Sequence, residues 1–219
     1  MSISNDSRTR IKKVFEPIAL GMGRLGLTPD GLTLIGFGIT VVGAILLTQQ
    51  MWLLGGLVVF IGGVFDMFDG TLARATGQVS KLGAFMDSVF DRWGEAVVYL
   101  GIVAGGVLGG SDPVAVLATA AMGAAFMVSY TRAKSEGLGF TAGTGMAAVG
   151  VMPREIRLVV LSLGLIVAGA TANLAILAGA LAIIALGATI TVIQRILHVR
   201  SQAKSANRPP TDEQEHRTT

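Results

Sequence analysis

The chain has 219 residues, 52% hydrophobic and only 14% charged, with a mean hydropathy of +0.66, whereas a soluble domain carries about 25% charged residues. The composition belongs in a bilayer, and the absence of cysteine excludes disulfides, thiolate zinc sites and cysteine nucleophiles. Thirty glycines and 6% aromatics predict helices that approach closely through small residues, and the length accommodates one membrane domain of about six spans at ~20 residues each.

The polar start, residues 1–13, lacks the apolar core of a cleaved signal peptide, so the chain is expected to keep it. Within residues 8–25, Ile11, Val14, Phe15, Ile18 and Met22 recur at helical spacing beside Arg8, Arg10, Lys12 and Lys13. That pattern predicts an amphipathic helix lying in the interface, with Pro17 as a site for a kink. Six apolar runs follow at 32–47, 52–72, 82–108, 113–133, 156–170 and 174–197, each read as a transmembrane helix. The expected fold is therefore an all-α integral membrane domain over residues 1–200, with a six-helix bundle at 32–198. Residues 201–219 turn polar, through Pro209-Pro210-Thr211-Asp212-Glu213, and read as a disordered cytoplasmic tail.

Charge fixes the expected orientation. All 17 Lys and Arg fall before the first run, near the second-to-third or fourth-to-fifth connection, or at the C-terminal end. The opposite turns, 48–51, 109–112 and 171–173, contain none. The positive-inside rule then places both termini in the cytoplasm of a multi-pass cell-membrane protein. A net charge of +3 and a pI near 9.6 describe a cytoplasmic face suited to anionic lipid headgroups and phosphorylated substrates, not to nucleic acid.

The stretch from Phe65 to Arg92, FDMFDGTLARATGQVSKLGAFMDSVFDR, sets four aspartates at the ends of two apolar spans. Carboxylates near a bilayer are costly, and four together repel, so an offsetting cation is required. Asp66 and Asp69 are three apart and Asp87 and Asp91 four apart, so each pair shares a helix face. An all-carboxylate set without Cys or nearby His favours Mg2+ or Mn2+, and four carboxylates suffice for two ions. The plainer reading is that these residues face water or pair with Arg74 and Arg92.

Asp66, Asp69, Gly70, Ala73, Arg74, Gly83, Asp87 and Asp91 match, position by position, the signature of the CDP-alcohol phosphotransferases. The sequence therefore resembles that family, which implies a dimerising six-helix membrane bundle and transfer of a phosphatidyl group from a CDP-linked lipid onto an alcohol with release of CMP. The segments GLTPDGLTLIG, SYTRAKSEGLG and PREIRLVVLSLG resemble the inositol-phosphate-using members. By that resemblance Asp30, Thr33, Gly70, Arg74 and Ser80 contact the CDP portion, Asp66, Asp69, Asp87 and Asp91 hold metal, and Asp91 is the catalytic base. The resemblance departs at one point: actinobacterial members read Arg-Pro-Glu-Arg where this chain has Arg154-Glu155-Ile156-Arg157, with the proline displaced to Pro153.

Arg132, Lys134, Arg154, Arg157 and Arg195 concentrate at the same expected end and suit a phosphorylated acceptor. Arg154 and Arg157 carry most weight, being three apart at the start of a span where free backbone N–H groups also favour phosphate. The expected reaction transfers a phosphatidyl group from CDP-diacylglycerol to inositol 1-phosphate. Glycerol 3-phosphate is the alternative acceptor, and a divalent-cation transporter the alternative from another class.

Overall fold

The computed structural model describes residues 16–140 and 145–206. Of the expected interfacial helix, Arg8, Arg10, Ile11, Lys12, Lys13, Val14 and Phe15 lie outside the described residues, as do residues 207–219 of the expected tail. The described part of that helix, α1, covers 16–24, and the turn before Pro17, where a kink would form, lies outside the described residues. Its Ala19 is fully buried in a small cluster with Leu32, Phe68 and Leu72, against which Met22 packs, while Ile18 is exposed.

Six longer helices follow: α2 (Pro29–Thr48), α3 (Trp52–Thr76), α4 (Lys81–Leu108), α5 (Asp112–Gly137), α6 (Arg154–Thr171) and α7 (Leu174–Ala206). A single 3-10 turn, Met146–Ala148, precedes α6, and no strand occurs among the described residues. Local chemistry sets the ends. Thr28 caps α2 by accepting from the Gly31 N–H at 3.1 Å, just before Pro29, whose missing N–H is harmless in the first turn. Gly77, at φ 69°, ends α3 in the left-handed conformation that glycine adopts without strain. Ser80 then caps α4, accepting from the Gly83 N–H at 2.9 Å. Helix α7 runs to Ala206, so residues 201–206 of the expected disordered tail are helical.

The principal helix contacts, α2 with α3, α3 with α6, α6 with α7, α7 with α5, α5 with α4 and α4 with α2, close a ring. Its inside is filled by Leu47, Val59, Tyr99, Ile102, Leu165 and Leu181, all nearly or fully buried. Glycine sets the closeness of the α2–α4 seam: a β-carbon at Gly101 or Gly105 would run into the carbonyl oxygen of Ala44 or Leu47. Such backbone-to-backbone contact replaces the hydrophobic drive that helices lack in lipid. The outer surface is apolar, with Leu54, Ile61, Val116, Leu163 and Leu186 exposed.

Four of the described helices, α2, α3, α5 and α7, are long and apolar enough to cross a membrane by length and composition. The other two carry charge within their apolar runs: α4 bears Asp87, Asp91, Arg92 and Glu95, and α6 bears Arg154, Glu155 and Arg157. The six runs read from the sequence all form helices, and these two depart from span-like composition where the polar residues gather.

Candidate active site

The chain alternates direction around the ring, so the start of α2, the end of α3 and the starts of α4 and α6 meet at one end. Asp66 and Asp69 lie in the last turns of α3, and Asp87 and Asp91 in the first turns of α4. Asp66 and Asp87 each lie within electrostatic range of all three other aspartates of the signature.

A cavity of about 250 Å³ opens beside them. Its wall brings together all five residues expected against the CDP portion, Asp30, Thr33, Gly70, Arg74 and Ser80, and is closed by Asp69 and Asp87. Asp69 is only 5% exposed and is held in place on both sides. Thr33 donates its hydroxyl to one carboxylate oxygen at 2.6 Å, and the Gly70 N–H donates to the other. These bonds satisfy a charge that burial would otherwise penalise. At Gly70 a β-carbon would crowd the Arg74 guanidinium at 3.3 Å, so glycine lets that cation lie along bare backbone at the cavity wall. Ser80 serves twice, as helix cap and as cavity wall.

A second, smaller cavity of about 40 Å³ lies deeper between α2, α3, α4 and α6, and includes Asp66, Glu95, Tyr99, Arg154 and Arg157 in its wall. It has room for one or two waters, and the Tyr99 hydroxyl nearby is buried without a hydrogen-bond partner. Here two arginines behave differently. Arg157 is 1% exposed; its Nε and Nη2 grip both oxygens of Glu95 at 2.7 and 2.9 Å, and its Nη1 donates to the Met152 carbonyl at 3.1 Å. Arg154 forks between two helices, with Nη2 2.8 Å from Asp66 and Nη1 2.9 Å from Asp91. Arg92 stands 3.6 Å from Asp91 on its other side.

The remaining basic residues expected at the acceptor are placed elsewhere. Arg132 is paired with Glu136 on the exposed face of α5 at 2.9 Å. Lys134 lines a separate groove of about 190 Å³ with Tyr130, Phe140 and Arg195, between the ends of α5 and α7. Arg195 is 4% exposed and spends its donors on main-chain carbonyls, Nε on Val149 at 3.0 Å and Nη1 on Val128. It secures the segment leading into α6, as does Thr191, which accepts from the Met152 N–H at 2.9 Å. The five cations thus divide between the central cavity and the α5–α7 side.

Among the described residues no three metal-ligating side chains form a ready cage. The positive charge of the Arg154 fork stands between Asp66 and Asp91. A cation is therefore accommodated at that locus, and the hard, all-oxygen donor set suits Mg2+ or Mn2+ better than a softer metal. The residues fit a divalent ion.

Sequence reasoning left Glu95 without an assigned partner and did not foresee the Arg154 fork. A signal was present: Asp91 and Glu95 are one turn apart on α4, and Arg154 and Arg157 one turn apart on α6, so two acids face two bases at matching pitch.

Fold and site together define a helical membrane protein whose polar chemistry is gathered at one end, around carboxylates and cations arranged for a phosphate-bearing ligand and a hard metal ion. The CDP-alcohol phosphatidyltransferase family profile matches residues 26–199, and the chain belongs to that family. It is 36% identical over 154 residues to the archaetidylinositol phosphate synthase of Pyrococcus horikoshii, covering 70% of this chain and 77% of that one. To the phosphatidylinositol phosphate synthase of Mycobacteroides abscessus it is 32% identical over 197 residues, covering 89% and 87%. Among solved structures, the phosphatidylinositol phosphate synthase of Mycobacterium tuberculosis with CDP-DAG bound matches with a TM-score of 0.79 at 28% identity, over 91% of this chain and all of that one. The same enzyme in complex with manganese and citrate matches at 0.76 and 29% identity, over 85% and 89%. The chain is accordingly a phosphatidyltransferase of the membrane.

Proposed function

We propose that this enzyme transfers a phosphatidyl group from CDP-diacylglycerol to inositol 1-phosphate (D-myo-inositol 3-phosphate), giving phosphatidylinositol phosphate and CMP. The observation that carries the reading is the 250 Å³ cavity, whose wall unites Asp30, Thr33, Gly70, Arg74 and Ser80 with Asp69 and Asp87. Arg154, the cation suited to a phosphorylated acceptor, is paired with the other two signature aspartates, Asp66 and Asp91. The two kinds of relative, phosphatidylinositol phosphate and archaetidylinositol phosphate synthases, are named for lipids that both carry inositol phosphate, which supports the acceptor.

In this mechanism the cytidine and its phosphates lie along the bare backbone at Gly70, with Arg74 against phosphate and Asp30 and Ser80 at the mouth. Asp66, Asp69, Asp87 and Asp91 would hold two divalent ions, Mg2+ or Mn2+, which when bound neutralise pyrophosphate charge and make the lipid-side phosphorus electrophilic. Thr33 fixes the Asp69 carboxylate so that it enters the site already oriented. Arg154 binds the acceptor's phosphate through its planar fork, and the cations at Arg132, Lys134 and Arg195 add to the field that draws the dianion in. Asp91 takes the proton of the attacking hydroxyl. That oxygen forms a bond to the lipid-side phosphorus as the bond from phosphorus to the CMP oxygen breaks. Attack is direct in this reading, since the two hydroxyls in the cavity wall are otherwise engaged, Thr33 with Asp69 and Ser80 with the Gly83 N–H.

In this reading α2–α7 are six spans, with the charged ends of α4 and α6 at the cytoplasmic interface, both termini in the cytoplasm, and the active site opening to the inner leaflet of the cell membrane. The enzyme acts as a homodimer in this reading, and α1 lies along the interface. A cation transporter would need carboxylates near mid-bundle with access from both sides, and here all four signature aspartates lie toward one end.

The deciding assay follows CMP release by purified protein with CDP-diacylglycerol and Mg2+ or Mn2+, offering inositol 1-phosphate, inositol, glycerol 3-phosphate or serine. Metal-dependent CMP with inositol 1-phosphate alone is expected. Preference for glycerol 3-phosphate would overturn the acceptor assignment while keeping the chemistry.

A further inference from the structure

Arg154 and Arg157, one turn apart at the start of α6, have divided roles. The Arg157 side chain is 2% exposed, and its guanidinium is committed to both oxygens of Glu95 and to the Met152 carbonyl. The Arg154 side chain is 30% exposed, and its two terminal nitrogens reach carboxylates on two different helices, Asp66 on α3 and Asp91 on α4. One guanidinium therefore occupies the space between two of the four aspartates that the proposed metal site requires.

We infer that Arg154 is a partner-exchanging positioning residue: it holds Asp66 and Asp91 together before metal binds, and moves to the acceptor's phosphate as metal takes its place. Metal and phosphorylated acceptor then each tighten the binding of the other. The inference rests on the proposed reading of the site and deepens it.

The physical case has three parts. Asp66 Oδ2 and Asp91 Oδ1 are engaged by Arg154, so an ion that binds between these carboxylates competes with the guanidinium for them. A partly buried guanidinium released without a partner is unfavourable, because its desolvation is no longer offset. A phosphate dianion at the mouth of the site restores a bidentate partner of the right shape, and Arg154, as the first residue of α6, lies beside free backbone N–H groups that favour the same anion. Arg157 cannot make this exchange while Glu95 holds it. Since binding free energies are linked, whatever phosphate does for metal, metal does for phosphate by the same factor.

The test measures Mn2+ binding to the detergent-solubilised full chain by electron paramagnetic resonance, with and without inositol 1-phosphate and with no lipid donor, so that no turnover occurs. In the unaltered protein, inositol 1-phosphate should lower the Mn2+ Kd by about fivefold or more. Arg154→Gln should bind Mn2+ at least as tightly as the unaltered protein when phosphate is absent, because a competing cation is gone. In that variant inositol 1-phosphate should change the Kd by less than about twofold. Arg154→Lys keeps the charge and loses the fork, so its coupling should fall between the two. Weakened Mn2+ binding by Arg154→Gln without phosphate, coupling that persists in it, or no coupling in the unaltered protein would each overturn the exchange. If Arg154→Gln does not fold by circular dichroism and gel filtration, Arg154→Lys decides: reduced coupling supports the exchange and full coupling overturns it. CMP release measured in parallel separates the two levels. Turnover with inositol 1-phosphate but no coupling sinks the exchange alone, whereas no turnover with that acceptor sinks the functional reading.

Discussion

Substituting Glu95 by Gln tests the internal support of the site. The pair it forms with Arg157 is buried on both sides, with side chains 11% and 2% exposed, so solvent screening gives little relief. Gln keeps the shape and one acceptor oxygen but removes the charge, leaving the Arg157 guanidinium as a buried cation without an anion. Breaking such a pair by removing one partner destabilises by about 3–5 kcal/mol, a large part of the roughly 5–15 kcal/mol that holds a typical domain folded. Removing both charges in Glu95→Leu/Arg157→Leu should recover most of that loss, because replacing a buried ion pair with apolar side chains is often near neutral. The assay is equilibrium unfolding in mixed micelles with increasing SDS, read by tryptophan fluorescence and helical circular dichroism for Glu95→Gln and the double variant. Turnover should fall in Glu95→Gln as well, since Asp91 lies one turn before Glu95 and Arg154 one turn before Arg157. A Glu95→Gln loss within about 1 kcal/mol, the behaviour of an exposed pair, would refute the reasoning, as would a double variant no more stable than the single one.

Three further outcomes follow from the geometry. Asp91→Asn should keep its fold and CDP-lipid binding but lose turnover by about 10²–10⁴-fold, the usual worth of a positioned base; full activity would remove Asp91 from the chemistry. Thr33→Val deletes the 2.6 Å bond to Asp69, and, with bonds to charged groups worth about 1.5–3 kcal/mol, kcat/KM for the CDP-lipid should drop by at least roughly tenfold; an unchanged value would show that Asp69 needs no such support. Gly101→Val drives a side chain into the Ala44 carbonyl and should lower stability by about 1–3 kcal/mol or more. Gly123→Ala, which points into open space, should stay within about 0.5 kcal/mol of neutral or improve helix stability; equal behaviour of the two variants in thermal unfolding would disprove close α2–α4 packing.

The helices were legible because lipid imposes long apolar runs, and the aspartate set because charge inside such runs needs a reason. Spacing along one helix says which residues share a face, so Asp66 with Asp69 and Asp87 with Asp91 could be paired from sequence. It cannot say which face meets which neighbour. The Thr33–Asp69 bond joins residues 36 apart, the Glu95–Arg157 pair residues 62 apart, and the Arg154–Asp66 pair residues 88 apart. All depend on the ring order of the helices, which composition does not encode. The same limit explains the basic cluster: Arg132, Lys134, Arg154, Arg157 and Arg195 share an end of the bundle, but only their side-chain bonds reveal that Arg157 and Arg195 are committed to structure while Arg154 stands among the carboxylates. The polar composition after Arg200 likewise marked an expected end, yet a surface-exposed helix needs no apolar residues to continue, and α7 runs on to Ala206.

The pairing of α4 with α6 also sets a schedule for biosynthesis. Asp91 and Glu95 leave the ribosome long before Arg154 and Arg157, with the Glu95–Arg157 gap of 62 residues taking about 3–12 s at roughly 5–20 residues per second. Throughout that interval α4 carries acidic groups with no basic partner from α6, and carboxylates are among the residues that translocation machinery passes least readily into lipid. Helix α4 therefore depends for two of its counter-charges on a helix that is synthesised after it.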